Sequence, residues 1–108
     1  MAYFLACIVQ TFIITVEPRD VQYVTVKAYV DCLTVAWGPP ISGLVEKYIV
    51  KLKYVTGSRK VITDLTHRTA KFESLKSGKQ YTVLVIAVSG FQKSIGIIET
   101  KRTSESLL

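Results

Sequence analysis

From Val21 onward, apolar residues return at every second position in short runs, and a turn signal closes each run. A period of two is the signature of a strand with one buried face, and several such runs at regular spacing describe two stacked sheets. "CLTVAWGPP" alternates Leu33, Val35 and Trp37 against Cys32, Thr34 and Ala36. Pro39 and Pro40, which cannot donate to a ladder, end that run. "VEKYIVKLKY" sets Tyr48, Val50, Leu52 and Tyr54 on one face and Lys47, Ile49, Lys51 and Lys53 on the other. "RTAKFESL" turns Ala70, Phe72 and Leu75 inward, and "QYTVLVIAV" does the same with Tyr81, Val83, Val85 and Ala87. In "YVTVKAY", Val24 and Val26 share a face that Tyr29 joins after a slight irregularity. "TGSR" reads as a turn before the short strand "KVITDL", and "IGIIETKRT" closes the chain, giving about seven strands. The expected fold is all-β, a seven-stranded antiparallel β-sandwich with almost no helix.

With 108 residues, 49% of them hydrophobic, the chain can build one domain with a sizeable core, and the composition favours a folded chain over global disorder. Trp37 is expected to be the largest contributor to that core, and its truncation to Ala to cost about 3–5 kcal/mol.

Tyr81 stands where the "KSGK" turn ends and the longest alternating run begins. Immunoglobulin-like sandwiches place a tyrosine there: the ring packs inward and the hydroxyl bonds backbone a few residues upstream. Leu75, Gly78 and Tyr81 have the spacing of such a corner, with Leu75 sealing the core and Gly78 permitting the turn. Together with "LTVAWGPP", "YIVKLKY" and "YTVLVIAV", this set resembles a fibronectin type III domain over Val21 to Thr103. Ser77 stands where the family usually has proline, and the closing strand lacks the usual proline-containing start. No cysteine pair bridges the sheets as in a true immunoglobulin domain. The resemblance implies a non-enzymatic binding or adhesion module, or a structural spacer from a larger receptor or matrix protein. An apolar start, one such domain and an end reading "QKSIGIIETKRTS" also resemble the small secreted host-protective antigens of tapeworm oncospheres, which implies a host-facing role.

Residues 1–16, "MAYFLACIVQTFIITV", are almost wholly apolar and precede the domain, which is taken as 17–108. The stretch falls short of the about 20 apolar residues that span a bilayer. It suits a secretory signal in length, though it lacks a basic start and a good cleavage site; the alternative is an extra strand or the tail of a preceding domain. The first reading places the protein outside the cell and leaves Cys32 without an intrachain partner once Cys7 is removed. There is no Asn, hence no acceptor for N-linked glycan.

Nothing assembles a catalytic set. His67 is the only histidine, in the polar connection "DLTHRT" with Asp64 nearby and no nucleophile elbow. The cysteines lack metal-ligand spacing, no glycine-rich phosphate loop occurs, and no cofactor is expected. RGD and WSxWS are both missing from the sequence. Lys and Arg outnumber Asp and Glu by 14 to 8, a formal charge of +6 that favours anionic partners. The basic residues are scattered, which argues against nucleic acid. Two surface features remain. Lys47, Lys51 and Lys53 share an outward strand face that Arg59 and Lys60 could join, a basic stripe suited to sulfated glycan or an acidic protein, or else an ordinary solvated face that discourages edge pairing. Parity also sends Leu84 and Ile86 outward beside Ile49, an exposed aliphatic patch unless the N-terminal segment covers it, and Phe91 tips a loop.

Overall fold

The computed structural model describes residues 19–40 and 44–105. The apolar stretch 1–16 read as signal or strand lies outside the described residues. Eight strands form two antiparallel sheets. Strands β1 (Val24–Ala28), β2 (Leu33–Trp37) and β5 (Thr69–Phe72) make the smaller, in the order β1-β2-β5. In the larger, β4 (Gly57–Asp64) pairs with β3 (Lys47–Tyr54) and β3 with β6 (Gln80–Ser89); β6 then pairs with both β7 (Gln92–Lys93) and β8 (Ile97–Arg102). No helix occurs among the described residues.

The eighth strand arises because the closing segment is split. Val88 faces Lys93 and Val85 faces Ile97, so the register slips by one residue between β7 and β8. Such a slip is a β-bulge, which bends the strand and leaves residues to be satisfied locally. Ser94 does this: its N–H donates to the Ala87 carbonyl at 2.9 Å, and its hydroxyl accepts the Ala87 N–H at 3.0 Å. Gly96 completes the bulge at φ +103, a left-handed conformation for which glycine is suited.

The core lies between the sheets. Leu33, Val35 and Trp37 meet Tyr48, Val50, Leu52, Val83, Val85 and Ala87, with Phe72 and Leu75 closing one side. The strand alternation thus maps onto the core. Tyr29 differs: β1 ends at Ala28, which keeps the alternation, and Tyr29 turns outward while its backbone holds Cys32 and Ser104. Trp37 and Tyr48 make an edge contact, centroids 5.5 Å apart at 66°. At the far end, the Tyr81 hydroxyl accepts the Lys76 N–H at 3.0 Å, and its ring meets Tyr54 edge-on at 5.7 Å. Gly78 takes φ +64 in the turn between them.

Candidate binding surface

The outer face of the larger sheet can be read row by row from the strand register. Across β4, β3, β6 and β8, one row is Ser58, Lys53, Thr82 and Thr100, and the next is Lys60, Lys51, Leu84 and Ile98. Ile62, Ile49 and Ile86 follow, and then Asp64, Lys47 and Val88, with Lys93 from β7. Directly opposed residues share a face, so these side chains leave the sheet on the side away from the core.

Three lysines therefore converge. Lys51 and Lys60 face each other across β3 and β4, and Lys53 sits in the adjoining row. None makes an ion pair among the described residues. Directly opposed like charges destabilise a sheet, so this pairing carries a cost in the isolated domain. Beside them Ile62 and Ile98 are 54% and 64% exposed, with half-buried Leu84 between Lys51 and Ile98 in their row. Lys47 stands apart, with Asp64 rather than a basic residue opposite it in the register.

The remaining residues singled out from the sequence go elsewhere. Arg59 is opposite Leu52, so it leaves β4 on the core side, away from the lysines. Its guanidinium reaches over the sandwich edge and donates to the carbonyls of Glu73 and Ser74. Ile49 and Ile86 do leave by the outer face, yet they are only 6% and 7% exposed. They pack with Val88 and Leu84, and the bulge folds over them. The Gly96 backbone lies so close that an added Cβ would come within 2.6 Å of Leu84 Cδ1 and 3.2 Å of Ile86 Cγ1. The Asp20 carboxylate pins the bulge by accepting the Gly96 N–H at 2.7 Å. Phe91 is fully exposed after Gly90 in the β6–β7 hairpin, ~20 Å along β6 from Leu84 and outside the basic rows. Sequence reading missed Ile62 and Ile98, although parity within "KVITDL" and "GIIETKR" carried that signal.

His67 and Asp64 do touch, with Nδ1 and Oδ1 2.7 Å apart. The Thr66 hydroxyl donates to the same carboxylate oxygen at 2.8 Å, and both the Thr66 and His67 N–H groups also point to it. These bonds hold the Asp64 carboxyl down at about 2, the His67 contact contributing most. The Thr66 hydroxyl and Asp64 meet the same ring nitrogen, and among the described residues no hydrogen bond joins the other ring nitrogen to a nucleophile. The cluster is a turn closed by a side chain.

Two antiparallel sheets packed face to face, with a tyrosine at the start of β6 bonded to upstream backbone, define an immunoglobulin-like sandwich. The family described as fibronectin type III domain matches residues 14–100, and the chain belongs to it. Its fold is similar to the fn3 domain of the human collagen alpha-1(XX) chain, with TM-score 0.74 and 20% identity over 85% of this chain and 90% of that one. It is also similar to a two-domain segment of chicken tenascin, with TM-score 0.73 and 28% identity over 81% of this chain and 51% of the segment. The chicken CNTN1 FN1–FN3 domains match at TM-score 0.74 and 18% identity, over 82% of this chain and 32% of that one. No curated protein matches the chain. The fibronectin type III resemblance is thereby supported, and the tapeworm antigen resemblance gains no support. Domains of this family serve typically as binding or adhesion modules and as spacers in larger proteins. Among the described residues, no helix is long and apolar enough to cross a membrane.

Proposed function

We propose that the chain is a non-enzymatic, extracellular binding module that presents the outer face of its larger sheet to a protein with an acidic rim. The observation that carries this reading is the unpaired Lys51–Lys60 opposition beside the exposed Ile62 and Ile98. A mixed apolar and basic patch suits a protein interface, in which apolar contacts supply affinity and rim charges supply orientation and speed of encounter. Residues 1–16 would act as the export signal, and secretion of a product shortened near Val16 would support that part.

The test is adhesion of cells to surfaces coated with the domain. Adhesion is expected to fall on reversal of Lys51 and Lys60 to Glu and to persist when Lys71, on the opposite sheet, is reversed. Equal adhesion of all three proteins would sink the proposal.

The grouping of Lys51, Lys53 and Lys60 favours a second reading, a sulfated glycan ligand. Retention on heparin would then outlast retention on a sulfonate resin of equal charge density as salt rises. The spacer reading draws on the tenascin and CNTN1 similarities, where such domains stand in series. It predicts that reversing these lysines has no effect on any partner.

A further inference from the structure

A concave site, distinct from the outer sheet face, lies at the opposite end of the domain from Phe91. The β3–β4 turn and the connection from β5 to β6 enclose a cleft of ≈ 440 Å³, within the range of pockets that hold small ligands or a few peptide side chains. Its walls are apolar: the rings of Tyr54 and Tyr81, set edge to face at 5.7 Å, with Leu75 beneath and Val55 at the lip. Its charged lining is wholly cationic, from Arg59, Lys76 and Lys79, and no carboxylate belongs to the lining.

Two neighbouring acidic groups are directed elsewhere. The Glu73 carboxylate pairs with Lys71 at 3.2 Å, and the Glu105 side chain packs against Gly78. Lys76 and Lys79 make no ion pair among the described residues.

The cleft is also held in shape. Ser74 is the one non-glycine residue with positive φ, +58, among the described residues. Left-handed backbone at a non-glycine residue persists where its surroundings hold it, and it concentrates at binding sites. Here the restraint is Arg59, whose two terminal nitrogens donate to the Glu73 and Ser74 carbonyls. The Lys76 N–H bond to the Tyr81 hydroxyl fixes the other side. A site ordered before its ligand arrives loses less freedom on binding.

We infer that this corner cleft receives a short acidic peptide segment, with an apolar side chain seated against the wall that Tyr54 and Tyr81 form together and flanking carboxylates met by Lys76 and Lys79. The occupant follows from charge complementarity: a cationic rim with no carboxylate among its described lining residues, set around an aromatic wall, selects an anion next to an apolar group. This site is separate from the outer sheet face, since Lys51 and Lys60 leave the sheet on the other side.

The probe is the blocked pentapeptide Gly-Asp-Phe-Glu-Gly, compared with its neutral counterpart Gly-Asn-Phe-Gln-Gly, titrated into the ¹⁵N-labelled full chain. Saturable amide shifts are expected at Val55, Thr56, Lys76, Gln80 and Tyr81, with the neutral peptide weaker by about two- to fivefold per lost charge. Lys76→Ala and Lys79→Ala are each expected to weaken the acidic peptide by about the same factor and to leave the neutral one unchanged. Both side chains are exposed and the Lys76 backbone bond survives truncation, so these variants keep the fold. Lys51→Glu is expected to change nothing at the cleft. Equal affinity for the two peptides, absence of saturable shifts in the cleft, or shifts confined to the Lys51 and Lys60 face would each overturn the inference.

Discussion

The same substitution at two buried tyrosines is expected to act in opposite directions. Tyr81 and Tyr48 are 6% and 0% exposed, and each ring makes an edge contact with another aromatic ring. They differ at the hydroxyl. Tyr81 accepts the Lys76 N–H at 3.0 Å, whereas the Tyr48 hydroxyl is buried with no partner among the described residues. Tyr81→Phe deletes a hydrogen bond that is only part-buried and whose donor belongs to an exposed residue. The cost should therefore stay near the net value of a hydrogen bond, about 1 kcal/mol, below the larger penalty of a buried orphan. Tyr48→Phe removes a hydroxyl already stripped of water without compensation, so it is expected to be neutral or to stabilise by up to about 1 kcal/mol.

Burial pushes the Tyr48 phenol up, against a weaker pull from the Arg68 charge, so the ring is neutral at pH 7 and ionisation does not blur the comparison. Urea unfolding followed by the fluorescence of Trp37, the only tryptophan, would read both variants. At constant m, the two unfolding free energies should separate by about 1–2 kcal/mol, with wild type between them or level with Tyr48→Phe. Equal losses, or a greater loss for Tyr48→Phe, would refute the reasoning by revealing a bonded Tyr48 hydroxyl.

Gly96→Ala is expected to cost about 2 kcal/mol or more in the same assay, because it combines a left-handed φ with a Cβ 2.6 Å from Leu84 Cδ1. For Asp64, a carboxyl depressed from 3.8 to about 2 contributes stability that is fully present above pH 3.8 and lost as pH falls through about 2. A carbon-13 titration should show this low midpoint in wild type and its return towards 3.8 in His67→Ala. Lys60→Glu replaces a like-charge opposition to Lys51 by an attractive one, so it is expected to stabilise the domain by about 0.2–1 kcal/mol while weakening any acidic partner. Thermal unfolding and the adhesion assay would read those two effects separately.

The strands were legible because their signal is local. Alternation alone assigns Leu33, Val35, Trp37, Val83 and Val85 to the core, where they lie. The outer surface was harder for two reasons. Parity tells which way a side chain leaves a strand and says nothing of what then covers it. Ile49 and Ile86 leave outward and are buried by a bulge that Gly96 alone hints at. Parity between neighbouring strands also depends on loop length. "TGSR" reads as a four-residue turn, but Tyr54 pairs with Gly57 around a two-residue loop. Thus β4 begins earlier, Arg59 lies inside it, and adjacent Arg59 and Lys60 must point to opposite faces. The corner cleft had no local signal, since it joins the turn at Val55 to the connection around Ser74.

A basic stripe on an edge strand has two physical explanations, and the register separates them. Among the described residues β4 pairs only with β3, which leaves its outer edge without a partner strand there, and charged side chains on such an edge deter aggregation. That role is indifferent to the sign of the charge. Protection alone would also be served by an acidic residue opposite Lys51, which would remove the like-charge cost instead of incurring it. The lysine at position 60 is thus the costlier of two equally protective choices for the isolated domain. Its positive sign gains a purpose when an acidic surface docks, because the partner supplies the missing counter-charge. If Lys60→Glu leaves the domain soluble and more stable yet unable to support adhesion, the stripe serves recognition. If it leaves adhesion intact, edge protection is the whole of its role.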